Sequence, residues 1–177
     1  MAFNVINTKV EWVLEARKPT AGPLLVIPAN DHLWMGTGPG LEIKKAHGKE
    51  LEVEAVRQGP VEPGAVVETS AGGTGFQRLL HAAVLDQENH WVPGAGRLAA
   101  RAMVEAAERL RASELIAYPF HRGAHVRPEV ALPEMLSGLL DALERGSSVR
   151  RVVVLAADAT EQTVLQQTFL QALSSRT

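Results

Sequence analysis

Three glycines at alternate positions, Gly36, Gly38 and Gly40, separate an apolar run at Leu24 to Ile27 from a helical pattern that starts near Pro39. Glycine admits positive φ and close backbone approach, and a helix starting there aims free amides and its dipole over the turn. The guest that suits such a turn is a phosphate or pyrophosphate. A second cluster lies in the segment Phe120 to Pro128, where His121, Arg122, Gly123, Ala124 and His125 follow one another in a loop. Arg122 or a protonated imidazole there could form charge-assisted bonds to phosphate oxygens, and solvent-facing loop residues are the equally weighted alternative. Asn30, at the end of the apolar run, has a donor and an acceptor on one short arm. It serves either a ligand or the backbone groups of a strand end.

Other chemistries fit less well. The glycine spacing is neither a dinucleotide fingerprint nor a Walker loop, since no Lys-Ser/Thr follows Gly40. His121 and His125 stand four apart, which would suit a metal only on a helix, and no third ligand is near, so no metal and no cofactor is expected. Ser70, His81 and Asp86 supply triad atoms without a nucleophile elbow, and Glu68 with Asp86 is an arbitrary carboxylate pair. His81 ends an apolar stretch and reads as a hydrogen-bonded core histidine. His32 and Trp34 border the glycine turn, where either could touch a ligand ring or cover the core.

The elements that must position these residues alternate along the chain. Ile6, Thr8, Val10, Trp12 and Leu14 share one face of an outer strand with period two. The run 24–27 reads as a central strand, and Pro28 is expected to take the chain out of the sheet. Helices follow at about 40–47, closed by Gly48, and 49–57; strands are expected at 65–69 and 77–85. Residues 95–112 form an amphipathic helix with Leu98, Met103, Ala106 and Leu110 facing inward. A strand at 115–118 precedes a helix from Pro128 to about Arg145, whose start Pro133 could delay by a turn. Val152 to Leu155 is a second buried strand, with a last helix at 160–173. The stretch 86–96 is expected to be the most mobile loop. The alternation favours a three-layer α/β/α sandwich around a central mixed β-sheet, as a single domain over 1–177.

Composition narrows the partners. The chain has 177 residues, 18 basic and 20 acidic side chains and a net charge of −2, so no uniform field exists to hold a nucleic-acid backbone, and general DNA or RNA binding is not expected. It has no cysteine, which fits a reducing compartment. Residues 1–6 lack the basic stretch and apolar core of a secretory signal, and no apolar run approaches the roughly 20 residues of a membrane helix. The expectation is a cytoplasmic protein without a membrane partner.

The segment 24–48 resembles the macro domain family, whose pattern is Asn-Ala-Ala-Asn, a leucine, three glycines and a short helix with an Ala-Ile pair and a closing glycine. Ala29, Asn30, Leu33, Gly36, Gly38, Ile43, Ala46 and Gly48 fall on it in register. Residues 64–73 with Leu79-Leu80-His81, and Leu115 to Pro119, are similar to later strands of the family, so the likeness runs from about residue 3 to 173. The resemblance implies binding of ADP-ribose or a related nucleotide, and an ADP-ribosylated protein as a kind of partner. It implies ligand contacts at Ala29, Asn30, Leu33, Gly36, Thr37, Gly38 and Gly40, with the diphosphate between that turn and His121, Arg122, Gly123, Ala124 and His125. Asn30 would bond the distal ribose and, in an enzyme, help hold the attacking water. Glu15 is nearest in register to the family's adenine-binding carboxylate. The chain departs from the pattern at Ile27, where the first Asn would be, and at Gly40, where active members often have Asp. Three readings stay open: a binder of ADP-ribose, a hydrolase of ADP-ribosyl or O-acyl-ADP-ribose groups, and an interaction module without nucleotide affinity.

Overall fold

Val152, Val153, Val154 and Leu155 leave no polar face, so the strand they form must be covered on both sides. The computed structural model, which describes residues 2–176, shows that cover. Val152 and Val154 pack into one apolar cluster, and Val153 and Leu155 into another on the opposite side. The same division separates Leu24 and Val26 from Leu25 and Ile27, and Leu115 and Ala117 from Ile116. This is the period-two alternation of a sheet buried on both faces.

The seven strands are β1 (Ala2–Val5), β2 (Thr8–Leu14), β3 (Gly22–Asn30), β4 (Val66–Ser70), β5 (Phe76–Leu85), β6 (Glu114–Ala117) and β7 (Arg151–Ala156). They form one mixed sheet in the order β1-β2-β7-β6-β3-β5-β4. The five strands from β2 to β5 in that order run parallel, and β1 and β4 close the two edges antiparallel. Helices α1 (Gly38–His47) and α2 (Glu50–Val56) cover one face. Helices α3 (Ala95–Arg109), α4 (Pro128–Glu144) and α5 (Ala159–Ser174) cover the other. The architecture is the three-layer α/β/α sandwich expected from the alternation of elements.

Several local expectations are corrected. Ile6 sits in the β1–β2 turn with φ 54° and is 59% exposed; it does not share the buried face of Thr8, Val10 and Trp12. The outer position belongs to β1, so β2 is the second strand in. Pro28 does not end its strand: β3 continues to Asn30, with Pro28 opposite Ala82 on β5. The Val26 carbonyl accepts from the Tyr118 amide on the β6 side, and Pro28, two residues on, faces that same side. The β3–β6 pairs are Leu25 with Ile116 and Val26 with Ala117, so the amide that proline lacks falls past the end of that ladder. Leu98 is exposed, although Met103 and Ala106 face inward as expected. Pro133 lies inside α4, which begins at Pro128 without delay. The 86–96 stretch is tied down: the Asp86 carboxylate accepts from the amides of Glu88 and His90, and Glu134 accepts from Trp91 Nε1 and the amides of Gly94 and Gly96.

Candidate functional site

Parallel strands deliver their C-terminal ends to one rim of the sheet, and the connections that follow them meet there. Beyond β3 comes the glycine turn, beyond β6 the 120–126 loop, beyond β7 the start of α5, and beyond β2 the residue Glu15.

The β3–β5 register shifts between Ala29 and Asn30, with Val84 of β5 the extra residue. Asn30 is buried, and its side chain organises the segment that follows. Its Oδ1 accepts from the amides of His32 (3.0 Å) and Trp34 (3.2 Å), while Nδ2 donates to the Trp34 carbonyl (3.2 Å) and to Asn89 Oδ1 (3.3 Å). The strand-end role, one of the two foreseen for Asn30, is therefore the one its observed bonds perform. Leu33 is fully buried against Ala29, Ala55 and Val67, so its side chain is part of the core. Trp34 lies 45% exposed on the rim, stacked on His32 with ring centroids 4.6 Å apart. The Met35 amide is held by Glu52, which also pairs with Lys44 at 3.0 Å.

Thr37 is the N-cap of α1, with Pro39 in the first turn and no acidic residue there. The Leu41 amide already bonds the Thr37 carbonyl. Gly38 has φ 58° and lies directly against the second loop, where Gly123 has φ 79°. A Cβ on Gly38 would come within 2.9 Å of the Arg122 carbonyl oxygen and of Gly123 Cα, and one on Gly123 within 2.6 Å of Gly38 Cα. Glycine is required at both positions by backbone contact as well as by φ. Gly36, in contrast, faces open space.

The 120–126 loop is pinned by charge. Arg122 Nη1 donates to Glu15 Oε2 at 2.9 Å and Nη2 to Glu161 Oε2 at 3.3 Å, and His121 Nε2 lies 2.7 Å from Glu161 Oε1. Glu161 also accepts from the Ala157 amide, and its own amide donates to Asp158, the N-cap of α5. Burial alone would raise the Glu161 carboxyl, but His121, the Ala157 amide and Arg122 more than offset it and hold the group down at about 2. Glu15 and Arg122, assigned separate ligand contacts from the sequence, thus bond each other. His125 is apart from His121, with its ring 6.4 Å from that of His90. Among the described residues no group of three or more His, Asp or Glu side chains could hold a metal ion.

Two hollows flank the turn at 37–40. Ile27, Asn30, Met35, Gly40, His81 and Asn89 line an inner crevice whose cavity of about 10 Å³ has room for roughly one water. Pro28, Ala29, Trp34, Thr37 and Leu85 complete its walls, and no carboxylate is among them. On the other side, Glu15, Glu42, Tyr118, Arg122 and Gly123 border an open groove of about 260 Å³ with Gly38 and Pro39. His81, one of the residues lining the crevice, is fully buried with Nε2 2.9 Å from Thr69 Oγ1, and burial pushes its imidazole down to about 4 against a weaker pull from Glu54.

Glu161 and Asn89 are the members of this rim that the sequence did not single out. The Asp158 to Glu161 spacing is a capping-box signal and marks the start of α5, but it does not tell which loop that helix faces. Asn89 has no local signal, since its partner Asn30 is far away in sequence.

No family model matches the chain. It is 38% identical over 64 residues to an uncharacterized protein of Aquifex aeolicus and 35% identical over 69 residues to one of Aeropyrum pernix. These matches take in 36% and 39% of the chain, and span only 39% and 36% of the two relatives' own lengths. Among solved structures, the Oceanobacillus iheyensis macrodomain with MES bound superposes with a TM-score of 0.82 at 19% identity, over 100% of this chain and 98% of that one. The same macrodomain with ADP gives 0.79 at 19% identity over 100% and 97%. The Trypanosoma brucei macrodomain in complex with ADP-ribose gives 0.71 at 16% identity over 93% and 68%. By its order of strands, its layers of helices and these superpositions, the chain has the macrodomain fold, in a divergent sequence.

Proposed function

We propose that this protein binds ADP-ribose or a related nucleotide diphosphate derivative at the rim where the 36–40 turn meets the 120–126 loop. The observation that carries this reading is the contact of Gly38 with Gly123, two positive-φ glycines with α1 starting at one of them. Such a pair of loops can wrap a diphosphate with backbone amides once they part. Solved macrodomains of the same fold hold ADP and ADP-ribose, which adds to it. In this reading the base lies in the groove beside Tyr118 and Glu15, the diphosphate crosses the turn at Gly36, Thr37, Gly38 and Gly40, and the terminal group enters the crevice beside Ala29 and Asn30. Gly123, Ala124, Arg122 and His121 cover the diphosphate, with His125 further out. Arg122 would exchange a carboxylate for phosphate oxygens, a like-for-like swap of charged partners.

Binding is favoured over turnover because the crevice holds no carboxylate to activate water and the Asn30 amide is spent on Trp34 and Asn89. The same ligand attached to a protein would make an ADP-ribosylated chain a partner. With a net charge of −2 and no cysteine, we place this activity in the cytoplasm, away from nucleic-acid backbones. Isothermal titration with ADP-ribose, with ADP and NAD as comparators, tests the reading. Selective binding near micromolar, about 8 kcal/mol, is the expected result, and silence with all three would overturn it.

A further inference from the structure

Thr69 favours one tautomer of His81: its oxygen lies 2.9 Å from both the Ser70 carbonyl oxygen and His81 Nε2, and only a proton on Nε2 gives each contact a donor. The Thr69 hydroxyl has one hydrogen, and once that is donated to the Ser70 carbonyl the same oxygen can only accept from Nε2. In this tautomer Nδ1 is left as a bare lone pair. It is buried and has no hydrogen-bond partner. A buried acceptor of this kind is rare unless something outside the chain fills it.

His81 is among the residues that line the inner crevice. A phosphate or carboxylate oxygen has no proton to give and would meet a lone pair, and an apolar group would leave the nitrogen unpaired. A hydroxyl satisfies it. The crevice has room for a single water, and Gly40, which also lines it, presents no side chain: a Cβ there would touch Ile27 and Met35 at an ordinary 3.6 Å.

We propose that His81 Nδ1 is a buried hydroxyl-binding point, filled by one ordered water in the free protein and by a hydroxyl of the ligand's terminal sugar in the complex. The second half rests on the nucleotide-binding reading; the first stands without it. In this role His81 gives the crevice a preference for ligands that end in a sugar over those that end in phosphate. The neutral ring favours this role, because a second ring proton would turn the acceptor into a donor.

The test uses the intact protein with its histidine ring nitrogens labelled with 15N. The expected spectrum of the free protein has the His81 proton on Nε2, and adding ADP-ribose shifts the Nδ1 resonance, whereas ADP, which lacks the terminal sugar, does not. A proton on Nδ1 overturns the proposal. So does an Nδ1 signal that stays put while calorimetry shows ADP-ribose binding. His81→Gln should weaken ADP-ribose by about fivefold to tenfold and leave ADP unchanged. An equal loss for both ligands would mean a merely structural residue. If no nucleotide binds, the nucleotide reading fails and the sugar half falls with it; a high-resolution crystal structure then decides the remainder, with a water on Nδ1 supporting the site and a dry crevice overturning it.

Discussion

Arg122 and Glu15 stand 107 positions apart and meet at 2.9 Å, so the cation that could bind a phosphate and the carboxylate that could bind a base neutralise each other. Glu161 completes the clamp from the start of α5. Burial works against the Arg122 charge, but the bonds to Glu15 and Glu161 outweigh it and raise the guanidinium above its ordinary value. The loop that would cover a ligand is held shut against Gly38 by the protein's own acids.

A competition follows from that clamp. Glu15→Gln should free Arg122 and tighten ADP binding by about twofold to tenfold, measured by calorimetry at low salt. If Glu15 instead contacts the base, the same substitution weakens ADP, so the sign of the change separates the two roles.

Glu161 sets an acid limit on stability. Its folded value of about 2 lies below the ordinary 4.5, so its contribution is fully present above about pH 4.5 and is lost as pH falls from there toward 2. Glu161→Gln should lower stability at pH 7 by about 1–3 kcal/mol and flatten the pH dependence in that window, read from urea midpoints.

The His81 window lies higher. Its folded value of about 4 is depressed from 6.5 because burial favours the neutral ring. Its contribution is whole above pH 6.5 and declines as pH falls from 6.5 toward 4, by about 3–4 kcal/mol in total. Urea midpoints for the parent protein should drop between pH 7 and pH 4.5. A His81→Gln variant with the same drop would show that the titrating group is elsewhere.

The glycine turn offers a matched pair of substitutions. Gly38→Val strains a φ of 58° and drives a side chain into the Gly123 backbone, so a loss of about 2 kcal/mol or more is expected in thermal unfolding. Its effect on binding is then inseparable from loop displacement. Gly36→Val meets nothing within 4 Å and should change stability by less than about 0.5 kcal/mol. It is the cleaner probe, because a drop in ADP-ribose affinity in this stable variant would place the ligand at the turn; unchanged affinity would count against that placement.

Sequence carried what short-range physics controls. The runs at 24–27 and 152–155 read as strands covered on both faces, and they are. Gly38-Pro39 and Gly48 marked the two ends of α1 through backbone freedom and a fixed φ, and the alternation of elements led to the layered fold. What sequence left open depended on neighbours distant along the chain. Pro28 stays in the sheet because β6 has already ended on the side its missing amide would face, a fact of register between separate strands. The Leu33 side chain is fixed in the core by Ala55 and Val67, which the sequence did not place beside it. Glu161 and Asn89 entered the rim only when the ends of parallel strands were gathered there, and Arg122 found its carboxylates the same way. Periodicity and turn chemistry act over a few residues, whereas a hydrogen bond or an ion pair takes whichever partner the packed chain brings within about 3 Å.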